Sequence, residues 1–455
     1  MAELDTGAIV GIAIACAVGG IALLVLIADM FHVFWYVRYY HVPKADPVKV
    51  ANYRKRMEDA YYHRDTEGDS SLNPFAHVVT DEEFEANLVA FEEEMGKKGV
   101  DPNNSMFASF DDPYTRLLRE SLMVVIAPRA VLFQVAHPYV AVGIKQHSNI
   151  VRDTPKRFQK TYFHMFRLSF GTRREALASA RSLRRTHNRV FGKFTTKAND
   201  FMPEGHFYTA NQTHALLYVG LALAESVLFG YIALVGNFSP EEREQLARDA
   251  SFGLMLFGVP KSLATGTYEE FRIAIEACWQ SDILTFCDEA KEISKHLLYP
   301  TVWYLKPIFL VARYLTRVIM PEKFQKQIFG KKSNVVDQVV VSVVGGVARF
   351  VYRFFPRAGR YVPEYSMARR RNGLSTAPCM LLDPCYIVIE RVFNKAKDFF
   401  MGCLLPQVNE EVAERRISES PELVLSELQK KPDVYPPAKP SARNNNGDAV
   451  AAYLQ

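Results

Sequence analysis

Residues 157–192 read RFQKTYFHMFRLSFGTRREALASARSLRRTHNRVFG. The stretch divides at Gly171 into two helical segments. In the first, Arg157, Lys160, Thr161 and His164 recur three to four residues apart and so share one helix face. Gly171 suits a left-handed C-terminal position. Thr172 followed by Glu175 forms a T-x-x-E capping box that opens the second segment. That segment carries Ala176, Ala180, Leu183, His187 and Val190 on one stripe, with arginines elsewhere around it. A single imidazole on an alanine-lined stripe is where a flat macrocycle could approach. It also suits a hydrogen-bonded core histidine, and the Arg-Lys-Thr face equally suits solvent.

Outward from this centre the pattern stays helical. Thr80 and Glu83 form another capping box at the head of a helix over residues 80–94, and residues 61–73 read as a loop. Residues 114–123 and 129–146 are apolar and helical, with a bend at His137-Pro138. Residues 201–212 form a polar loop. Residues 214–235 are apolar with Glu225 as the one charge. That length could cross a membrane, yet Ser239-Pro-Glu-Glu opens another soluble helix directly after it, which favours a buried helix. Glu225 is then either a satisfied core group or a functional one. No stretch alternates as a strand, although residues 335–344 are β-branched and ambiguous.

The termini differ from this core. Residues 8–28 hold no charge, and at about 1.5 Å per residue they cover the roughly 30 Å hydrocarbon layer. Trp35, Tyr36, Tyr39 and Tyr40 follow at interfacial depth. Arg38, Lys44, Lys49, Arg54, Lys55 and Arg56 lie downstream, whereas Glu3 and Asp5 precede the run. An uncleaved anchor is expected, with residues 1–7 lumenal and the rest cytosolic. Two further segments mix basic and aromatic residues. One is residues 297–321, with Trp303, Tyr304, Lys306, Arg313 and Arg317. The other has Arg349, Arg353, Arg357 and Arg360 beside Phe350, Phe354 and Phe355. Each suits either an anionic leaflet or core packing with a basic edge. Residues 406–455 are polar and expected to be disordered, most strongly from Lys430 onward.

The chain has 455 residues, is 49% hydrophobic and carries a net charge of +5. One large domain with appendages fits this size, and the small charge surplus without a recognisable motif speaks against nucleic acid. Six scattered cysteines without C-x-x-C indicate neither a zinc site nor a disulfide framework. There is no H-E-x-x-H, P-loop, G-x-G-x-x-G or G-x-S-x-G, which removes the usual footholds of metalloproteases, nucleotide-dependent enzymes and serine hydrolases. A cysteine-ligated haem signature is also lacking.

Five pieces occur in order: Ala136-His137-Pro138 with a small-residue helix to Ser148, Arg157-x-x-Lys160-Thr161, Phe170-Gly-Thr-x-x-Glu-Ala176, Arg184-x-x-His187-x-x-Val190-x-Gly192, and Tyr208-x-x-Asn211. Together they resemble the catalytic region of rubber oxygenases (latex clearing proteins) and mpaB-type membrane-bound oxygenases, best over residues 110–290. The resemblance implies an all-α bundle with globin-like packing over residues 46–405 behind a single transmembrane helix at residues 8–28. It further implies haem b with His187 as iron ligand and His137 as the runner-up. Lys160, Arg157 and Thr161 fall on the distal positions, Arg157 also near the cofactor. The implied activity is oxidative cleavage of a carbon–carbon double bond in a prenyl or isoprenoid chain with O2, at the endoplasmic reticulum membrane. No motif places a distal carboxylate base. The competing reading is a membrane-anchored protein that binds a lipid or isoprenoid without chemistry.

Overall fold

The computed structural model describes residues 6–62, 74–148, 154–299 and 306–375, with position 392. The side chains of residues 6–19 and 154–159 and of positions 124, 308 and 358 are outside that description, as is the tail expected to be disordered. The described residues all belong to one compact unit.

The architecture is all-helical. Helix α1 (Thr6–Tyr39) is the N-terminal apolar helix, followed by α2 (Pro47–Tyr62) and α3 (Asp81–Lys97). Next come α4 (Pro113–Leu118), a 3-10 turn at Ser121–Ile126, α5 (Ala127–Val135) and α6 (Pro138–His147). Pro138 separates the last two, because it cannot donate to the α5 ladder and fits the first turn of α6. Helices α7 (Thr154–Phe170) and α8 (Arg173–His187) are the hairpin expected over residues 157–192. Both halves of the Thr172–Glu175 and Thr80–Glu83 capping boxes are present. Gly171 is a correction: it does not take a left-handed conformation. Its need is for space, since a Cβ there would lie 2.5 Å from the Arg167 carbonyl oxygen.

Strands β1 (Phe191–Lys193) and β2 (Phe207–Thr209) pair antiparallel where no strand was expected. At three residues each they are too short to show alternation. Helix α9 (Thr213–Leu234) runs through the centre and is long and apolar enough to span a membrane, but its apolar window is 78% buried. Its role is a core helix, as its sequence context indicates. The chain continues through α10 (Pro240–Leu256) and α11 (Tyr268–Gln280), which pack on it, then α12 (Asp288–Leu298), α13 (Lys306–Ile319) and α14 (Glu322–Phe329). The chain then forms α15 (Val335–Arg353), α16 (Arg357–Arg360) and α17 (Pro363–Arg371).

Helix α15 resolves the ambiguous valine-rich stretch. An Asn334–Asp337 capping box starts it, and Val341, Ser342, Gly345 and Gly346 form its buried face. Tertiary contact with α1 outweighs the β-preference of valine. The two helices run antiparallel: Asp29 binds Arg349 and Arg353 at 2.9–3.0 Å, while Arg38 donates to Gln338 at the other end. Both α1, over Gly20–Tyr39, and α15 are long and apolar enough to cross a membrane and leave most of their surface uncovered.

Candidate functional site

The α7–α8 hairpin brings the expected residues to one end. His164 is buried and its Nδ1 lies 2.7 Å from Ser179 Oγ, which fixes the register of the two helices. Continuing that register away from Gly171 sets Lys160 at the level of Leu183, and position 157 near Thr186 and His187. Lys160 and Thr161 are exposed and His187 is half-buried, and all three make further contacts. Arg157 sits in α7, its side chain outside the described part. Ala176 and Ala180 are buried in the core, so the alanine stripe faces protein along most of its length.

Neighbours on both sides hold the His187 end in place. Arg184 donates to Asp81 Oδ1 at 2.7 Å and to the Val79 carbonyl at 2.6 Å, while Asn188 donates to both Asp81 oxygens. Asn211, from the Tyr-x-x-Asn piece, donates to Asn188 Oδ1 at 2.7 Å. Tyr208 of the same piece donates to Gln146 Oε1, and a Cβ at Gly143 would meet Val190 at 3.0 Å. His147 Nε2 lies 3.0 Å from the Phe191 carbonyl. Burial lowers the pKa of this imidazole against the pull of that hydrogen bond. The sequence reading passed over His147, although it stands near the end of the small-residue helix that carried part of the resemblance.

His137 lies elsewhere. Its Nδ1 accepts from the Tyr139 amide at 3.2 Å, so its Nε2 carries the proton of the neutral ring and faces Tyr61 Oη at 2.9 Å. Tyr61 Oη in turn lies 2.5 Å from His214 Nδ1. Both rings are buried, and desolvation pushes their pKa values down, that of His214 to about 3; the charge of His214 adds to the effect on His137. Among the described residues, His214 Nε2 has no partner, and neither do the Gln212 amide atoms or Thr213 Oγ1, all buried at the head of α9. Internal water usually satisfies such groups.

Glu225 is also placed. It forms a two-pronged pair with Arg129, Nη1 to Oε2 at 2.6 Å and Nη2 to Oε1 at 2.7 Å, with both side chains fully buried. Its function is to neutralise that guanidinium in the core.

An apolar cavity of about 100 Å³ lies between α4, α7, α9, α10 and α11, lined by Leu117, Met165, Ala224, Leu246, Leu254 and Phe257 among others. This is somewhat smaller than the ~150 Å³ apolar cavities that stay dry and admit a benzene-sized guest. It holds no imidazole, so its lining suits a short apolar segment rather than a ligated iron. Among the described residues no three His, Cys, Asp or Glu side chains converge as a metal centre. A haem held by one imidazole needs no such cluster. In donor chemistry the hairpin end fits it: a half-buried imidazole on α8, with an ammonium and a hydroxyl on the neighbouring helix.

No curated protein and no solved structure gives a significant match to the chain. The family described as ER-bound oxygenase mpaB/B'/rubber oxygenase, catalytic domain, matches residues 114–350, just over half of the chain. That span covers the α7–α8 hairpin, the apolar cavity's α4, α9, α10 and α11, and the Arg129–Glu225 pair. The chain therefore belongs to the mpaB and rubber oxygenase catalytic-domain family, and is an oxidoreductase of the oxygenase kind.

Proposed function

We propose that the protein is a membrane-anchored, haem b-dependent oxygenase that cleaves a carbon–carbon double bond of a prenyl or isoprenoid chain with O2. The observation that carries the reading is the division of α7. Thr161 is exposed at the polar end of the hairpin, and Met165, one turn further on, lines the apolar cavity. A hydrocarbon chain in that cavity thus lies along the same helix as the charged and hydroxyl groups.

His187 would hold the iron. His137 is set aside because both its ring nitrogens are engaged by protein groups in a fully buried cluster. A bound haem would supply the redox chemistry that activates O2. The protein's own groups do the rest. Lys160 Nζ and the Arg157 guanidinium offer N–H donors to negative charge that develops at the reacting oxygen, and Thr161 helps to fix their geometry. The cavity walls exclude water and orient the chain. Helix α1 holds the catalytic domain at the endoplasmic reticulum membrane, facing the cytosol, where apolar substrates partition.

The test is the absorbance of detergent-solubilised full-length protein and its variants. Wild type should show a Soret band near roughly 400 nm, as haem proteins generally do. His187→Ala should stay folded and lose it, while Lys160→Ala should keep haem and lose turnover. Haem retained in His187→Ala but absent from His137→Gln would move the ligand to α6. A wild type without haem would remove the oxygenase mechanism and favour simple binding of a lipid in the cavity.

A further inference from the structure

Of the four arginines spaced along residues 349–360, three are committed to carboxylates. Arg349 and Arg353 bind Asp29, and Arg360 binds Glu120 at 2.8 and 3.2 Å. These three therefore pair within the protein. Arg357 is different. It is exposed, has no ion pair among the described residues, and opens onto a polar pocket of about 270 Å³. Asp111, Arg119, Tyr361, Tyr365 and Arg369 complete the lining.

Two of the three guanidinium groups are held in position. Arg119 lies over the rings of Tyr361 and Tyr365 at 4.8 and 5.6 Å, and its Nη1 donates to Tyr365 Oη at 3.3 Å. It also keeps a long contact of 3.4 Å to Glu120. Arg369 lies over Phe110 at 5.5 Å, and its Nε donates to the Ser375 carbonyl at 2.9 Å. Planar donors held by stacking suit the several oxygens of a phosphate group better than a mobile ammonium would. Three guanidinium groups surround a pocket whose lining holds one carboxylate, that of Asp111.

The pocket's position indicates where that phosphate comes from. Asp29, clamped by Arg349 and Arg353, is the first charge after the uncharged residues 8–28, so with that run as the anchor it stands at the edge of the hydrocarbon. Phe354, 71% exposed, and Phe355 stand between Arg353 and Arg357. Apolar rings beside a basic pocket at that depth match the boundary between acyl chains and headgroups. The pocket is separate from the candidate oxygenase site. Tyr365 packs on Phe170, and Arg371 Nη2 donates to the Phe170 carbonyl, at the hinge end of the α7–α8 hairpin.

We propose that the Arg119–Arg357–Arg369 pocket binds the phosphate of an anionic lipid headgroup in the leaflet facing the catalytic domain. This rests on α1 being a membrane anchor. The test is calorimetric titration of detergent-solubilised full-length protein with dihexanoyl phosphatidic acid, dihexanoyl phosphatidylcholine and inorganic phosphate. The phosphatidic acid should bind at least about tenfold more tightly than the other two, through its charge and the phenylalanine contacts. Arg357→Gln, an exposed and fold-neutral change, should weaken it about tenfold, and Arg357→Gln with Arg369→Gln about a hundredfold. Unchanged binding in Arg357→Gln overturns the proposal. Inorganic phosphate binding as tightly as phosphatidic acid overturns the lipid assignment. Alkaline extraction of membranes tests the anchor by itself: wild type should stay in the pellet whatever the pocket does, and its release would refute the anchor.

Discussion

Removing one partner of the Arg129–Glu225 pair should be among the costliest single changes in this protein. All five N–H groups of Arg129 have acceptors: Nε donates to the Ile319 carbonyl, Nη1 to Glu225 and Ser226, and Nη2 to Glu225 and His41. The guanidinium also lies 4.6 Å from the centre of the Phe229 ring. One side chain thus ties α5, α9, the end of α13 and the segment after α1. Glu225→Leu leaves a fully buried cation without its counter-ion, a loss of about 3–5 kcal/mol. With an unfolding entropy of about 2.1 cal/mol/K per residue over about 350 residues, that is a fall in Tm of roughly 4–7 °C. Arg129→Met with Glu225→Leu removes both charges together and should recover at least half of the fall. The assay is thermal unfolding of detergent-solubilised protein at one fixed scan rate. A Glu225→Leu protein within about 1 °C of wild type would refute the reasoning, as would a double variant no better than the sum of the singles. A double variant that regains its Tm but not its activity would return Glu225 to a functional role.

Two further outcomes follow from the same core. His137 and His214 are buried and His41 half-buried, all with pKa values lowered, by desolvation first and, at His41, also by the Arg129 and Arg272 charges. Below the ordinary pKa near 6.5 the unfolded chain takes up protons that these rings refuse, so stability falls with pH by about 1.4 kcal/mol per unit for each ring. For His214 this window runs down to about 3. Tm should be level above pH 7 and drop from pH 6.5 to 5.5, less steeply in His214→Gln; a level profile over that range contradicts the assignment. Gly346→Ala should lower Tm even though alanine favours helix, because the new Cβ would lie 2.7 Å from Met30 Cα, where no flexible side chain can yield. The expected cost is about 1–3 kcal/mol, and a gain in Tm would show that α1 and α15 pack less closely than described.

What the sequence disclosed was local. The Thr80–Glu83, Thr172–Glu175 and Ser239–Glu242 boxes are written in four residues each, and all three helices start where those residues stand. The break at Pro138 and the buried character of α9 were equally legible, since proline chemistry and the flanking residues determine them. Contacts between distant residues were not. Nothing near Glu225 names Arg129, and nothing near Asp29 names Arg349. Each pairing is set by how helices cross, which periodicity does not encode. Gly171 was misjudged for a related reason: its requirement comes from the Arg167 carbonyl of the preceding turn, not from its own backbone angles.

The histidines show the same limit in the candidate site. By residue type His137, His147, His187 and His214 are alike, and three of the four follow or precede small or apolar residues. Their surroundings separate them. His137 and His214 share Tyr61 in a cluster closed to solvent, which leaves a neutral donor chain and no approach for a macrocycle. His147 ends α6 against the Phe191 carbonyl, and His187 is the last residue of α8, half-buried. The resemblance singled out His187 through the spacing Arg184-x-x-His187, and the fold supplies a physical reason for that spacing. Arg184 and Asn188 both grip Asp81 on α3, so the last turn of α8 cannot rotate, and the imidazole between them is held at the hairpin's open end.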